Sequence, residues 1–476
     1  MSSRNSRYLP FEINLMVARA LAEGEDNLAR FATVSREWQR IIESRNFARI
    51  RLTPSRIAEL DVMTRRNRGR VRYLWLCLEL ERYGCSPPEE KTIVMKAFQD
   101  LFSVLRVWEP NGFLSLDVSV YSTSDAEHCF KYMTAEPDPP NKSSHDQRQE
   151  ALSISMEALR RAFEHVSKFE KVEDEGEEYE WWRQLPLVTA VTRLLIRPQA
   201  RRRWQPRALV KILALLPRLR ELHYEPWREG EDSDQESIDN DFLHLLNSPA
   251  IKALRKLVIF ENFGPHYAYA SHYAHSLQFP PALQDHASLI RPPNPALSEA
   301  LAMVSRNFES ISGAFMVDAG HFFSLDGYQF GKRWPNLKTL VLTSQLLAPD
   351  KSQASIMNML HEAASAAMHM PQLETMTIWN GRKKLAALFK YERTRGHQLS
   401  TVTWRGTWHL NLSPSVIKAW EAVAARHSGY GLDVVHESLD GDDVMSHGDA
   451  IAILKLPEPV IRPVSLQQIR RDPCWQ

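Results

Sequence analysis

The residues best suited to chemistry in this chain fall short of the patterns that chemistry needs. His361-Glu362 opens an HExxH arrangement, in which two histidines one helical turn apart hold zinc and the glutamate acts as general base, but the second histidine position is Ser365. Gly327-Tyr328-Gln329-Phe330-Gly331-Lys332 is one residue shorter than a phosphate-cradling loop and lacks the hydroxyl residue after the lysine, so it reads as a turn. His266, His272 and His275 have neither cysteine partners nor an i, i+4 pair, which favours an exposed loop over a metal site. Asp440, Asp442 and Asp443 could gather a cation, yet lack the ligand spacing and closing glutamate of a calcium loop. No GxSxG, no nucleophile–base pattern and no GxGxxG after a strand occurs. The expectation is a non-enzyme with no catalytic residue, no metal and no cofactor. A site assembled from distant residues stays open as the alternative.

Composition sets the frame for whatever elements remain. The chain of 476 residues is 43% hydrophobic and 25% charged with a net charge of +1, an ordinary globular balance that gives no electrostatic case for nucleic acid or an anionic membrane. Cys77, Cys85, Cys129 and Cys474 are scattered without CxxC pairs, so neither a disulfide framework nor a zinc site is indicated and a reducing compartment suits them. The first residues, MSSRNSRYLP, lack the apolar run of a secretory signal, and no stretch approaches the ~20 apolar residues of a membrane span. Cytoplasm or nucleus is the expected location.

The stretch Tyr8 to Arg49 reads as three short helices. Leu9-Pro10 is a turn opening the first, with Glu12 placed where a carboxylate suits the helix dipole. Between Phe11 and Ala22, Ile13, Leu15, Met16, Val17, Ala20 and Leu21 cover more than half of the helix circumference, more than one shallow core face requires. Gly24-Glu25-Asp26 ends that helix, a second passes through Leu28 and Phe31, and Ser35 caps a third from Arg36 to about Glu43. Trp38, Ile41, Ile42 and Phe47 are the large side chains available to close the bundle.

This segment resembles an F-box. Leu9-Pro10-x-Glu12-Ile13 matches the family's Leu-Pro-x-Glu-Leu/Ile opening, Leu28 falls where the second helix carries its leucine, and Val34-Ser35-Arg36-Glu37-Trp38 matches the closing Val-Cys-x-x-Trp with Ser35 in place of cysteine. The resemblance covers under a tenth of the chain. It implies docking on the Skp-type adaptor of a cullin-RING ubiquitin ligase, through Leu9, Pro10, Ile13, Leu28, Val34 and Trp38. The plainer reading is a three-helix cap that happens to contain LPxE.

A second pattern fills much of the remainder. The template apolar, two residues, apolar, one residue, apolar occurs as Val71/Leu74/Leu76, Phe113/Leu116/Val118, Val191/Leu194/Ile196, Leu219/Leu222/Tyr224, Leu254/Leu257/Ile259, Phe308/Ile311, Leu337/Leu340/Leu342, Leu373/Met376/Ile378 and Leu399/Val402/Trp404. Most copies follow an amphipathic helix and a break, as in LVKILALLPRLREL, which is how a leucine-rich repeat reads. First positions 191, 219 and 254 lie at repeat-like intervals of 28 and 35, whereas 54 separates 254 from 308. The spacing is irregular and the repeat's asparagine or cysteine is missing. The pattern therefore resembles the irregular leucine-rich-like solenoids of F-box proteins, particularly fungal ones. An unrelated α/β domain of parallel βαβ units shares the same helix-then-strand rhythm.

The remaining punctuation divides the chain. Residues 135–147 and 264–295 read as loops. Arg201 to Arg203 and the acidic runs Glu173 to Glu180 and Glu229 to Glu236 read as solvated loop faces, and Trp181-Trp182 as either buried or a partner anchor. Past Gly381, Leu385–Tyr391 and Leu399–Trp408 read as a hairpin, Pro414–Ala425 as a helix, and Leu432–His436 and Ala450–Leu456 as strands before a proline-interrupted tail. The expected fold is α/β: an F-box over 8–49, an irregular leucine-rich-repeat-like solenoid over 50–380, and an α/β cap over 381–476. The expected function is the non-catalytic substrate-recognition subunit of an SCF-type ligase, with the adaptor, a cullin reached through it and an unknown protein substrate as partners. The alternative is an F-box-like scaffold without a role in ubiquitination.

Overall fold

The computed structural model describes residues 10–24, 28–82, 87–110, 112–122, 180–197, 203–229, 232–264, 290–324, 333–394, 399–456 and 460–471. The expected loop 135–147 falls wholly outside them; of 264–295, residues 264 and 290–295 are described, with Arg291 buried and Asn294 capping the helix that starts at Pro295.

Alternating apolar residues become in-register ladders. Leu74, Leu116, Leu194, Leu222, Leu257, Ile311, Leu340 and Met376 pair across eight consecutive parallel strands. Two residues on, Leu76, Val118, Ile196, Tyr224, Ile259, Gly313, Leu342 and Ile378 form a second ladder. Side chains two apart in a strand share a face, so both ladders bury the same side. Helices cover that side: Leu209 and Ile212 of Pro206–Ala214, Phe242 and Leu246 of Asp232–Asn247, and Met359 and Leu360 of Gln353–Ala367 belong to one continuous core with the ladders. Removing one such leucine side chain costs about 2–5 kcal/mol. Gly313 breaks the ladder because Val317 fills its place; a β-carbon there would lie 2.4 Å from the valine methyl.

The strands follow one another in chain order. They are β1 (Arg49–Leu52), β2 (Tyr73–Leu80), β3 (Ser115–Ser122), β4 (Arg193–Ile196), β5 (Glu221–Tyr224), β6 (Lys256–Phe260), β7 (Ser310–Ala314), β8 (Thr339–Thr343), β9 (Thr375–Arg382), β10 (Leu385–Glu392), β11 (Ser400–Gly406) and β12 (Leu432–Ser438). β1 to β9 are parallel, β10 is antiparallel to both neighbours, and β12 is parallel to β11. The sheet thus runs through residue 381 without interruption. Sequence reading missed β1, whose Arg-Ile-Arg-Leu carries no copy of the template.

Three expectations need correction. Ala450–Leu456 is not a strand: residues 447–454 form a helix, capped by Ser446, which accepts the Asp449 amide at 3.1 Å. The letters Ala-Ile-Ala-Ile alternate like a strand, but Ala450, Ile451 and Leu454 lie at helical spacing and all three are buried. The proline-interrupted tail forms another helix, Pro463–Arg471, with the proline where its missing amide is harmless. Finally, Phe113 and Leu399 do not take the inward first position of the template. Phe113 is 68% exposed and Leu114 is buried instead, just after Gly112 with its φ of 84°.

These last two helices cover the other side of the sheet. Ile451, Leu454, Ile461 and Ile469 pack with Phe260, Phe315, Val341, Trp379 and Leu388 in a second core. The tail reaches back as far as β5, where Glu225 accepts the Arg462 amide at 2.7 Å and the Ser465 hydroxyl. His447 stacks on Phe263 at 4.3 Å, with its Nε2 2.9 Å from Asn262 Oδ1.

Candidate functional site

The N-terminal helices close on very little. Helix Phe11–Gly24, a 3-10 helix at Ala29–Thr33 and helix Arg36–Asn46 share a core in which Leu28 and Ile42 are 2% and 1% exposed, with Leu21, Phe31, Ala32, Trp38 and Ile41 packed around them. Ser35 fixes the third helix as its residue type implies: its hydroxyl accepts the Trp38 amide at 3.3 Å. The Phe31 and Trp38 rings meet at 6.2 Å. Arg70 ties the bundle to the sheet by bonding the Arg40 carbonyl and pairing with Glu43, both at 3.0 Å, and the chain passes from the third helix almost directly into β1.

What the bundle does not bury is its most distinctive property. Ile13, Met16 and Val17 stand 41%, 64% and 38% exposed at i, i+3 and i+4, one face of the first helix. Val34, at the turn into the third helix, is 60% exposed. Apolar area of this kind yields about 25 cal/mol per Å² when a partner covers it.

The residues anticipated from sequence divide accordingly. Pro10 is exposed, with its carbonyl accepting the Asn14 amide at 3.0 Å; Ile13 and Val34 are exposed; Trp38 is half-buried; Leu9 lies outside the described residues. Leu28 is inside the bundle and supports the surface from behind rather than forming it. Met16 and Val17 belong to the exposed face and were not singled out, although the excess apolar arc of the first helix was their signal.

Where they are described, the charged runs divide: Glu180, Asp232, Asp234 and Glu236 are exposed, as solvated faces are, and Arg203 and Glu229 are not. Arg203 pairs with Glu229, which is buried, so the two runs meet at this pair. Arg197 and Asp117 form a pair at 2.7 Å with both side chains fully buried, and the Tyr73 hydroxyl donates to the same aspartate. Arg291 joins Asp239 at 2.6 Å and Glu261 at 2.9 Å. Breaking such pairs from one side costs about 3–5 kcal/mol, which suits cross-links between segments distant in the chain. Trp182 is buried against Phe98, 5.8 Å between rings, and Trp181 packs beside it, so this pair is core.

Other chemical candidates resolve similarly. Ser365, in the place of a zinc histidine, donates back to the His361 carbonyl at 3.1 Å. Asp440 accepts the Asp442 amide at 2.9 Å in a local turn. His266, His272, His275 and the turn at 327–332 lie outside the described residues. Among the described residues no group of three or more His, Cys, Asp or Glu side chains is placed to hold a metal, and no helix is long and apolar enough to cross a membrane. One cleft of about 510 Å³ opens at the rim where β7 and β8 end.

Residues 247–462 match a family described as being of unknown function, DUF6546. The matched stretch contains the rim cleft and most of the segment that covers the second face of the sheet. No curated protein matches the chain.

Proposed function

We propose that this chain is the non-catalytic substrate-recognition subunit of an SCF-type cullin-RING ubiquitin ligase. In this reading residues 8–49 are an F-box that seats on a Skp-type adaptor, and the rest is an irregular leucine-rich-repeat-like solenoid with an α/β cap that holds a protein substrate. The observation that carries it is the bundle's economy. It buries Leu28 and Ile42 while leaving Ile13, Met16, Val17 and Val34 exposed, on a segment that also carries the LPxEI and VSREW patterns. A helical cap whose sole purpose is to shield the sheet end has no use for an apolar face turned to water.

The solenoid reading is supported by strand order identical to chain order, parallel pairing from β1 to β9, and ladders fed by the same template in each unit. The mechanism is proximity: the receptor raises the local concentration of its substrate near a ligase-bound ubiquitin carrier, and no side chain of this chain enters the transfer. Co-expression of the intact chain with a Skp-type adaptor tests the proposal. Copurification at equal stoichiometry is expected; failure to copurify beside a successful F-box control overturns it.

A further inference from the structure

The rim cleft lies between the short helix Ala319–Phe323 and helix Gln353–Ala367, at the carboxyl ends of β7 and β8. A volume of about 510 Å³ is within the range of ligand pockets. Its inner end is already committed. Asp318 is buried and accepts the Gly320 and Gln345 amides at 2.7 Å each and the Ser344 hydroxyl at 3.0 Å.

The long wall is different. Ser355, Asn358 and Glu362 follow one another at i, i+3 and i+7 along one face of the Gln353–Ala367 helix, with buried Met359 between them. Neither Asn358 nor Glu362 makes a side-chain hydrogen bond or ion pair among the described residues, and His321 across the cleft makes none either. Glu362 is half-buried, and that burial raises its carboxyl above the usual range, partly offset by His361. Lys351 at the far end is 3.6 Å from Asp350, which also pairs with Arg382 at 3.3 Å. The wall therefore presents one uncompensated carboxylate, an amide and a hydroxyl spread over about 10 Å of helix. About three residues of extended chain span that length. On the other face of the sheet, from β6 to β10, the chain's own Val444, Ile451, Leu454, Ile461 and Ile469 cover Phe260, Val341, Trp379 and Leu388.

We propose that this cleft binds a short extended peptide segment bearing a basic side chain, which pairs with Glu362 while Asn358 and Ser355 bond its backbone. The identification of that peptide as part of a ubiquitination substrate rests on the receptor reading above; the site itself does not.

The test uses the purified full-length chain on an array of twelve-residue peptides randomised except for a fixed central Arg, Lys, Asn or Asp. Arg- and Lys-fixed peptides are expected to bind about tenfold more tightly than Asp-fixed ones, the size of one charge-assisted bond. Glu362→Gln should remove that preference, Glu362→Arg should reverse it toward Asp, and Glu421→Arg on an exposed helix elsewhere should leave it intact. Equal capture of all four peptide classes, or an unchanged preference in Glu362→Arg, overturns the proposal. Adaptor binding measured on the same preparation separates the two claims. Peptide selection without adaptor binding sinks the receptor reading alone, and adaptor binding without peptide selection sinks this site alone.

Discussion

Gly381 of β9 lies directly under Ala450 of the C-terminal helix: a β-carbon on the glycine would sit 2.6 Å from the alanine methyl. The helix therefore rides on the strand backbone, and Trp379 beside it is completely buried. Gly381→Ala is expected to cost about 1–3 kcal/mol by overpacking. Ala450→Gly in the same chain should return part of that loss, because it vacates the same space. Guanidinium unfolding of both single variants and the double variant measures this; strictly additive losses contradict direct contact.

Glu225 should make stability depend on pH. Burial pushes its carboxyl up to about 7, against the Ser465 hydroxyl, the Arg462 amide and the Arg197 charge, from an ordinary 4.5. A folded pKa above the unfolded one contributes stability that is fully present below about pH 4.5 and is lost as pH rises through about 7. The amount is about 3 kcal/mol. Glu225→Gln keeps an acceptor for the Arg462 amide but cannot titrate. Its stability should fall less than that of the unaltered protein between pH 5 and pH 8; parallel pH profiles would contradict the assignment.

Cys77 should be inert while the protein is folded. It is fully buried, and burial pushes its thiol up to about 12 despite the neighbouring Arg51 guanidinium. The thiolate is the reactive form, so iodoacetamide at pH 8 should modify Cys77 only after denaturation. Peptide mass spectrometry resolves this cysteine from the other three; labelling within minutes under native conditions would refute the environment described.

Much of this architecture was legible because one physical rule repeats. Every template copy from Val71 to Trp404 has its later positions on a strand, since a buried strand needs apolar residues two apart, and in all but the Phe113 and Leu399 copies the first residue is buried in the preceding turn. The helix capped by Ser35 was legible because a serine hydroxyl before Arg36-Glu37-Trp38 satisfies a free amide. What escaped detection depends on distant partners. Ala450–Leu454 alternates like a strand and became a helix because the sheet face above Trp379 and Leu388 was open to it. Arg203 and Glu229 read as separate solvated runs, and only folding shows that they meet. The rim cleft has no sequence motif at all, because its walls come from separate units of the chain.

Leu28→Ala should separate support from contact in the bundle. Leu28 is almost completely buried, so its truncation should cost about 2–5 kcal/mol of local stability. Hydrogen exchange over residues 28–46 reports that loss; protection equal to the unaltered chain would mean the bundle does not rest on this residue.

The most direct measurement is the affinity of a purified Skp-type adaptor for the intact chain, compared with Ile13→Asp and Val34→Asp variants, whose altered positions are 41% and 60% exposed. Both variants should keep the unfolding midpoint of the unaltered protein. Each should bind the adaptor at least tenfold more weakly, since a charge on a covered apolar face is left unpaired. No measurable adaptor binding by the intact chain, or equal affinity in all three proteins, contradicts the account.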